Sequence, residues 1–426
     1  MNRTKSVSIV GLGYVGLPLA LRCEEKGFHV FGIVKTQESA EKINKKHTTV
    51  ADAKVQKQLK KSKISASASF ETVSQSNIIV ICVPTPVTAD YLPDFGPLIS
   101  AATQIGKELK KNQLVILEST VNPGASEEIV IPLLEKESGL QCGKDFFFAY
   151  CPERINPGDK AWSVKNIPRV LGANDPKSLR LAYSFYTAVL DSNIKKMKSL
   201  KEAEAVKIVE NAFRDVNIAF VNELAQSFSV LGIDIMHVLD GAETKPFSFM
   251  RHNPGCGVGG HCIPVDPYYL IRSMKKKGFS HKFLAMAREV NNSMPSYTVS
   301  VLEETLVSLG KGIKGARIGI LGISYKAGIS DTRGSPYFKI KDALIGKGAK
   351  VFSYDPYVPE LSTDTSLENL LQNTECLVLV TPHKEFLRLN PSMLKKYKMV
   401  VIVDGRNCLK KELFKRSVVV YKGIGR

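Results

Sequence analysis

Short runs of β-branched and other apolar residues alternate with longer, helix-like stretches in the first part of the chain. The runs that predict strands are Val7–Val10, Val30–Val34, Ile78–Val83 and Leu114–Glu118. Helix-like sequence lies between the first two runs and again before the last one. Because strands that alternate with helices form parallel sheets with crossover helices, this pattern predicts an α/β domain.

The last part of the chain shows the same alternation. Its strand candidates are Arg317–Gly322, Lys350–Tyr354, Cys376–Val380, Met399–Val403 and Val418–Tyr421. The two regions share no visible sequence repeat, but the common pattern predicts a second domain of the same class.

A long segment with few helix breakers, from about Glu202 to Leu231, separates the two alternating regions. Gly232 follows it and is suited to cap the end of a helix. We therefore predict one long central helix. The closely spaced glycines in residues 310–315 predict a linker into the last domain.

The composition is that of an ordinary globular protein, with 426 residues of which 44% are hydrophobic and 23% charged. The length favours two or three domains, and the values exclude disorder or a fibrous repeat as the main state. No apolar run approaches the about 18 residues of a membrane span, and MNRTK leads into a strand rather than into the apolar block of a secretory signal. We therefore expect a cytoplasmic protein without a membrane partner.

The eight cysteines lie far apart and form no CxxC pair, so we expect reduced thiols rather than a disulfide framework. The chain carries 59 basic and 41 acidic residues, for a net charge of +18. Nucleic-acid binding is one possible cause of such a charge. However, the lysines are scattered in local clusters such as Lys57–Lys63 and Lys275–Lys277, without a zinc-finger, RNA-binding or basic-zipper pattern. We expect a basic surface that attracts anionic ligands, and no nucleic-acid partner.

The first chemical motif is a G-x-G-x-x-G pattern formed by Gly11, Gly13 and Gly16, which follows a predicted strand directly. Such glycines allow a tight turn and a close approach of the backbone to a pyrophosphate, which then lies at a helix N-terminus. In this context a dinucleotide site is favoured over a purely structural glycine turn.

The acidic residue that usually ends the second strand of such a site is missing. Val34 stands there and Lys35 and Thr36 follow, so this end of the strand could accept the 2′-phosphate of NADP. The nearest acids, Glu38 and Glu41, could replace the missing one after a small shift of the loop. NAD with weakened discrimination against NADP is our expectation.

The second motif is Asn253–Pro267, where the density of glycine and proline predicts a shaped loop. Backbone amides in such a loop could bind an oxyanion or a phosphate. Cys262 is a candidate nucleophile with Asp266 as a nearby polar partner. A zinc site formed by Cys256, His261 and Cys262 is an alternative that lacks a recognised ligand spacing. An inert thiol is a stronger alternative for Cys256 than for Cys262.

The third motif lies on the predicted long helix and consists of Glu204, Lys207, Asn211 and Asp215. Lys207 and Asn211 are four residues apart and share a face. Apolar neighbours such as Val206 and Ile208 favour a site. A solvated polar stripe is the alternative, and these residues alone favour neither possibility over the other.

Together with further blocks, these motifs resemble the UDP-glucose/GDP-mannose dehydrogenase family, the nucleotide-sugar 6-dehydrogenases. The blocks in order are GLGYVGLPLA, VPTP at Val83–Pro86, ESTVNPG at Glu118–Gly124, CPERINPGD at Cys151–Asp159, EAEAVKIVENAFRDVNIAFVNELA, GCGVGGHCIPVDP and GISYKAGISDTRGSP at Gly322–Pro336. They cover nearly the whole chain. The loop GVGGHCIPVDP is most similar to enzymes acting on UDP-N-acetylhexosamines of the UDP-GlcNAc or UDP-ManNAc type. UDP-glucose as substrate, or a non-catalytic nucleotide-binding homologue, are the alternatives.

The resemblance implies an α/β protein of two Rossmann-like doubly wound domains joined by the long central helix. The implied division is an NAD-binding domain at residues 1–200, a central helical and dimerisation domain with the cysteine loop at residues 201–305, and a UDP-sugar-binding domain at residues 306–426. The long helix also has more apolar residues than one face needs, so we expect a homodimer or a higher homo-oligomer. These residues are Phe213, Ile218, Phe220, Val221 and Leu224.

The resemblance also assigns roles to matching positions, and it implies no metal. The implied catalytic residues are Cys262, Lys207, Asn211, Asp266, Thr120 and Glu153. The implied cofactor-binding residues are Gly11, Gly13, Tyr14, Val15, Gly16, Lys35, Pro84, Thr85 and Thr120. The implied substrate-binding residues are Glu153, Arg154, Lys207, Asn211, Arg251, Gly257, Gly259, Lys326, Arg333 and Arg406. The implied reaction is an NAD-dependent four-electron oxidation of the C6 alcohol of a UDP-sugar to a uronic acid through a thiohemiacetal and a thioester on Cys262.

Overall fold

The structure of the protein, a computed structural model, describes residues 5–48, 50, 52–88, 90–155 and 161–426. The last part of the block CPERINPGD, residues 156–159, lies outside the described residues. The chain forms two compact units. The first unit comprises residues 1–210 and 268–278, and the second comprises residues 211–267 and 279–426.

The described strands of the first unit form one eight-stranded sheet. They are β1 (Ser6–Val10), β2 (His29–Ile33), β3 (Ser65–Ser67), β4 (Ile78–Ile81), β5 (Leu114–Leu117), β6 (Phe147–Tyr150), β7 (Arg169–Ala173) and β8 (Ile194–Lys196). Their order is β3-β2-β1-β4-β5-β6-β7-β8, and β6 and β7 form the antiparallel pair among otherwise parallel neighbours. The first six strands follow the order of a Rossmann dinucleotide-binding domain, whose topological switch point lies between β1 and β4.

Alternate residues of the central strands enter two separate cores, one on each face of the sheet. In β4, Ile78 and Val80 belong to one core, whereas Ile79 and Ile81 belong to the other. Both faces are therefore buried, which explains why this strand reads as an unbroken apolar run. The described helices of this unit before the long helix are α1 (Gly16–Glu25), α2 (Gln37–Asn44), α3 (Ala53–Lys61), α4 (Gly96–Glu108), α5 (Ile131–Ser138) and α6 (Pro176–Val189).

The described strands of the second unit form a five-stranded, fully parallel sheet. They are β9 (Arg317–Leu321), β10 (Lys350–Tyr354), β11 (Cys376–Leu379), β12 (Val401–Asp404) and β13 (Val420–Gly423), in the order β10-β9-β11-β12-β13. This is the other common doubly wound order, with its switch point between β9 and β11.

The long helix α7 covers Leu200–Val230, and Gly232 with φ +69° follows it, so the predicted central helix and its end are confirmed. The remaining described helices are α8 (Ile235–Glu243), α9 (Asp266–Lys276), α10 (Lys282–Ser308), α11 (Pro336–Gly346), α12 (Leu367–Asn373) and α13 (Pro391–Lys396). No helix in the described parts of the chain is both long and apolar enough to cross a membrane.

The predicted fold class is confirmed, but the predicted loop Asn253–Pro267 runs too far. Asp266 and Pro267 form the first turn of α9 rather than the end of the loop. Proline needs no hydrogen-bond partner for its nitrogen, so it fits the first turn of a helix. The signal that predicted a loop was therefore also the signal of a helix start.

The turn between β1 and α1 depends on two of its three glycines. Gly11 has φ +98°, and a Cβ atom there would lie 2.7 Å from the Cys82 carbonyl oxygen. A Cβ atom at Gly16 would lie 1.9 Å from the Gly11 carbonyl oxygen. Gly13 is different, because a Cβ atom there would meet no atom within 4 Å.

We expect Gly11→Ala to lower the free energy of unfolding by more than about 2 kcal/mol, because it combines a left-handed backbone with a backbone clash. Gly13→Ala is the matched control and should change it by less than about 0.5 kcal/mol. Urea unfolding of both variants measures the difference. Equal stability of the two variants would contradict this account of the turn.

Candidate active site

Four of the sequence blocks lie at one edge of the first sheet. Strands β1, β4, β5 and β6 are consecutive neighbours and run parallel, so their carboxyl ends meet at the same edge. The glycine turn follows β1, Val83–Pro86 follows β4, Glu118–Gly124 follows β5 and Cys151–Ile155 follows β6. Ligands of open α/β sheets bind at this edge, next to the switch point.

The glycine turn leaves space beside Gly13, at the N-terminus of α1. Gly13 is exposed, and a Cβ atom there would meet no atom within 4 Å, whereas Gly11 donates its N–H to the Ile33 carbonyl oxygen at 2.8 Å. Tyr14 and Val15 are half-buried and lead into the helix. A pyrophosphate fits this place, because the backbone approaches closely there and the helix N-terminus favours negative charge.

The end of β2 lacks the usual acid in the structure as well. Val34 is half-buried just beyond the strand, and Lys35 beside it is exposed. Of the two candidate acids, Glu38 forms an ion pair with Lys42 at 2.7 Å, and the bond to Lys42 lowers the pKa of Glu38. Glu41 is exposed on the same helix.

Side-chain hydrogen bonds tie the loops after β4 and β5 together. The Thr85 hydroxyl donates to the Thr120 carbonyl oxygen at 2.7 Å, and the Ser119 hydroxyl donates to the Val83 carbonyl oxygen at 2.7 Å. Pro84 lies between these two contacts. The predicted cofactor-binding residues of both loops therefore form one connected surface in the first unit.

Glu153 is buried after β6, and its carboxylate is held from both sides. Its Oε2 atom lies 2.6 Å from Nη2 of Arg169, and its Oε1 atom accepts the backbone N–H groups of Arg154 and Ile155. The Arg154 guanidinium pairs with Glu210 and donates to a backbone carbonyl. The structure thus fixes the orientation of Glu153 rather than leaving it free in solvent.

Lys207 lies on the same side of α7 as Glu204, and the buried carboxylate of Glu204 binds the loop after β5. Glu204 accepts the backbone N–H of Gly124 at 2.6 Å and that of Ser126 at 2.9 Å, and burial raises the pKa of Glu204. Because Lys207 is three residues further on, it projects from the same side of the helix. Lys207 is half-buried, and within the described residues no hydrogen bond or ion pair occupies its ammonium group.

In the second unit, the two cysteines of the loop have different environments. Cys256 is fully buried in the core, its N–H donates to the Gly405 carbonyl oxygen at 2.8 Å, and burial raises the pKa of its thiol. Cys262 is half-buried instead. The inert role foreseen for Cys256 agrees with this placement, which also removes Cys256 from the proposed zinc ligands. Among the described residues, no group of three or more His, Cys, Asp or Glu side chains could hold a metal ion.

The cysteine loop packs against the loop that follows β9. The Gly260 N–H donates to the Arg333 carbonyl oxygen at 2.9 Å, and a Cβ atom at Gly259 would lie 2.6 Å from Cβ of Tyr325. Lys326 is half-buried in this second loop, and the exposed Arg333 side chain forms an ion pair with its own neighbour in the loop, Asp331. Three predicted substrate-binding residues are therefore brought together here: Gly259, Lys326 and Arg333.

Arg406 fastens the same loop from the end of β12. Its Nε donates to the Val380 carbonyl oxygen at 2.7 Å, and its Nη1 donates to the Gly257 carbonyl oxygen at 3.1 Å. Gly257 has φ +134°, a conformation that favours glycine. From α7, the side-chain oxygen of Asn222 accepts the Gly255 N–H at 2.9 Å. Both contacts give Arg406 and Asn222 a part in shaping the loop.

Asp266 joins Cys262 to α7. The side-chain amide of Asn211 donates to the Asp266 carboxylate, which is buried at the start of α9. The Asp266 N–H donates to the Cys262 carbonyl oxygen at 2.8 Å. Predicted catalytic residues therefore converge in the second unit, and Thr120, Glu153 and Lys207 belong to the first unit.

Arg251, a predicted substrate-binding residue, forms ion pairs with two acids of α8. Its guanidinium lies 2.6 Å from Asp240 and 2.8 Å from Glu243. Three further residues hold the site in place, namely Arg169, Glu204 and Asn222. Arg169 and Asn222 belong to none of the three chemical motifs, whereas Glu204 is part of the third motif but had no predicted role. Arg169 had one signal, a charged residue in the otherwise apolar run RVLGA. Glu204 had another, its spacing of three residues from Lys207 on an apolar-rich helix.

Models of one family match the chain over three consecutive stretches. The NAD binding domain of the UDP-glucose/GDP-mannose dehydrogenase family matches residues 5–190, its central domain residues 201–293 and its UDP binding domain residues 319–411.

Named relatives are similar over most of the chain. UDP-N-acetyl-D-glucosamine 6-dehydrogenase of Pseudomonas aeruginosa is 39% identical over 352 residues, which are 83% of this chain and 83% of that protein. UDP-N-acetyl-D-mannosamine dehydrogenase of Pyrococcus horikoshii is 34% identical over 425 residues, which are 99% of each. The solved structure of the UDP-D-ManNAc dehydrogenase from Pyrococcus horikoshii matches with a TM-score of 0.93 at 34% identity over 99% of both chains.

A UDP-glucose dehydrogenase from Pyrobaculum islandicum has the same fold at lower identity. Its structure matches with a TM-score of 0.88 at 27% identity, over 99% of this chain and 98% of that chain. With family models over the NAD-binding, central and UDP-binding stretches, and with relatives above 30% identity along most of its length, the chain belongs to the UDP-glucose/GDP-mannose dehydrogenase family of oxidoreductases.

Proposed function

We propose that the protein oxidises the C6 alcohol of a UDP-N-acetylhexosamine to a carboxylate and uses two NAD⁺ molecules in turn. The observation that carries the proposal is the placement of Cys262. It is a half-buried thiol in a loop held against the carboxyl edge of the second sheet, whereas the other loop cysteine lies in the core. The similarity to dehydrogenases of UDP-N-acetyl-D-glucosamine and UDP-N-acetyl-D-mannosamine supports this class of substrate.

The first unit is suited to hold the cofactor. Gly11 and Gly16 form the tight turn, and Gly13 leaves room for the pyrophosphate at the N-terminus of α1. The tied loops with Thr85 and Thr120 provide the neighbouring surface. When bound, NAD⁺ accepts a hydride in each of the two oxidations.

Cys262 supports the second oxidation by forming a covalent bond to the substrate. Its thiolate adds to the C6 aldehyde to give a thiohemiacetal, and loss of hydride from that carbon leaves a thioester. Water then attacks the thioester carbon, the carbon–sulfur bond breaks, and the carboxylate and the thiolate are released. A thiolate suits both steps because it is a good nucleophile near neutral pH and a good leaving group.

Charged and amide groups supply the electrostatic stabilisation. The ammonium of Lys207 stabilises the alkoxide-like states, a contribution of about 3–4 kcal/mol in comparable sites. Asn211, held by Asp266, donates to the same developing charge and orients the water. Thr120 and Glu153 handle the water and its proton. Lys326 and Arg333, beside Gly257 and Gly259, bind the UDP part, where the negative diphosphate attracts basic side chains.

A panel of UDP-sugars tests the proposal. We expect UDP-N-acetylhexosamines to support cofactor reduction with a kcat/KM at least about tenfold above that for UDP-glucose, which corresponds to about 1.4 kcal/mol. Each sugar converted should reduce two cofactor molecules, because the product is an acid. A preference for UDP-glucose would contradict the substrate class, and a ratio of one cofactor per sugar would contradict the carboxylate product.

Replacement of the two loop cysteines tests the nucleophile. Cys262→Ser should lower carboxylate formation on the order of a hundredfold or more, because the hydroxyl is a poorer nucleophile and leaving group. Cys256→Ser is the matched control in the same loop and should retain most of the kcat. Mass spectrometry of quenched wild-type enzyme should also find the sugar bound to Cys262. Unchanged turnover by Cys262→Ser would rule out the covalent route.

The ratio of kcat/KM for NAD⁺ and NADP⁺ tests the cofactor choice. We expect NAD⁺ to be preferred, with weak discrimination, because Val34 neither binds the ribose hydroxyls nor repels a 2′-phosphate. Val34→Asp should raise the preference for NAD⁺ about tenfold, and the uncharged Val34→Asn should raise it less. A wild-type preference for NADP⁺ of about tenfold would contradict the expectation and would point to Lys35.

A homodimer is proposed from an apolar stripe on α7. Val209, Phe213 and Phe220 are 57%, 50% and 54% exposed, and their spacing of four and seven residues places them on one face of the helix. We expect light scattering at micromolar concentration to give at least a dimer, which Phe220→Asp should weaken. Val418→Asp, at another exposed apolar position, is the control and should leave the assembly unchanged. A fully active monomeric wild type would contradict the proposal.

A further inference from the structure

Glu153 is part of a buried ion cluster in the first unit. Arg169 and Tyr186 are fully buried and Glu118 is 1% exposed. Arg169 lies 2.6 Å from Glu153 through Nη2 and 3.6 Å from Glu118 through Nη1. The Tyr186 hydroxyl donates to Glu118 at 2.6 Å. Of these residues, only Glu153 has a role in the proposed reaction.

The cluster brings two carboxylates to one buried guanidinium. Burial, together with the charge of Glu153 and against the charge of Arg169, raises the pKa of Glu118 to about 7. Burial opposes the charge of Arg169, but the neighbouring Glu153 and Glu118 carboxylates raise the pKa of Arg169 above its ordinary value. Arg169 therefore stays charged, and Glu118 is the group that gains or loses a proton near neutral pH.

Other titratable groups that face the cluster remain neutral in this range. Burial raises the pKa of the Tyr186 hydroxyl well above its ordinary value. It also raises the pKa of three thiols near the cluster, those of Cys23, Cys82 and Cys151.

The hydrogen bonds that Glu153 makes with the described part of the chain leave one acceptor position. An ionised carboxylate has about four lone-pair positions. Among the described residues, two backbone N–H groups bind Oε1 and one Arg169 N–H binds Oε2. The remaining position is on Oε2, beside the arginine. Glu153 is 7% exposed, so part of the residue is accessible to a small molecule such as water.

We propose that Arg169 is a positioning residue that holds the Glu153 carboxylate in the orientation in which it takes a proton from the water that hydrolyses the thioester, while Glu118, anchored by Tyr186, modulates this effect. This inference rests on the proposed function. In the hydrolytic step Glu153 takes a proton from water, the water oxygen bonds to the thioester carbon, and the electron pair of the broken carbon–sulfur bond returns to sulfur.

The first test is Arg169→Met, with stopped-flow cofactor reduction and quenched carboxylate analysis on the full-length enzyme. The two hydride transfers should remain rapid, whereas hydrolysis should slow about tenfold or more, so that covalently modified Cys262 accumulates. The acid limb of the pH profile of hydrolysis should move to higher pH, because Glu118 loses the cationic partner whose charge lowers its pKa. Arg169→Lys should restore part of both effects.

Arg22→Met is the matched control, because Arg22 is also a buried arginine of the first unit, paired with Glu25 and Asp191. It removes the pairing of a buried arginine with two exposed carboxylates and does not touch the cluster, so it should leave the acid limb in place. Slow hydrolysis with an unchanged acid limb in Arg169→Met would reduce Arg169 to a structural role and overturn the proposal.

Glu118→Gln tests the same cluster independently and decides the matter if Arg169→Met does not fold. The wild-type hydrolysis profile should have an inflection near the titration of Glu118, and the variant should lack it. An inflection that persists in Glu118→Gln, or that is missing from the wild type, overturns the proposal. A wild type that forms no carboxylate overturns the proposed function as well. Normal carboxylate formation, together with variants whose pH profiles of hydrolysis do not shift, overturns only the role of Arg169.

Discussion

Burial of both faces of a parallel sheet is the constraint on which the rest of this protein depends. When alternate residues of a strand such as β4 enter two separate cores, no face remains for polar chemistry. The functional side chains must then come from the loops at the strand ends and from helices such as α7 and α9. Because the strands are parallel, these loops gather at one edge, and each unit of the chain has such an edge.

The polar groups that do enter the interior hold those loops in place. Glu204 binds the backbone of the loop after β5, and Arg169 binds Glu153 after β6. A buried charge is tolerated only with partners of this kind, since an unpaired one costs several kcal/mol (about 3–5 when a partner is removed). The burial of Glu204 and Arg169 is therefore informative, because each of them marks a loop whose backbone is held in place beside predicted site residues.

Much of the fold could be predicted from the sequence, because strands buried on both faces read as apolar runs between helices. The missed elements had conflicting local signals. The helix α10 contains Pro295, which removes a backbone donor and normally indicates a helix end. The strand β7 begins at Arg169, a residue rarely buried. The glycine turn, the nucleophile candidate Cys262 and the helix motif with Glu204 were recognisable in the sequence. The loops that Glu204 and Asn222 bind were not, because those contacts join residues distant in sequence.

The cysteine loop is fixed at several points in the folded chain: Asn222 binds its Gly255 amide, Arg406 binds its Gly257 carbonyl and the loop after β9 binds its Gly260 amide. Ordering backbone costs about 1–2 kcal/mol per residue in conformational entropy. In this loop that entropy is lost when the second unit folds. The thiol therefore meets its substrate from an already ordered backbone, and binding does not have to compensate for the ordering of the loop.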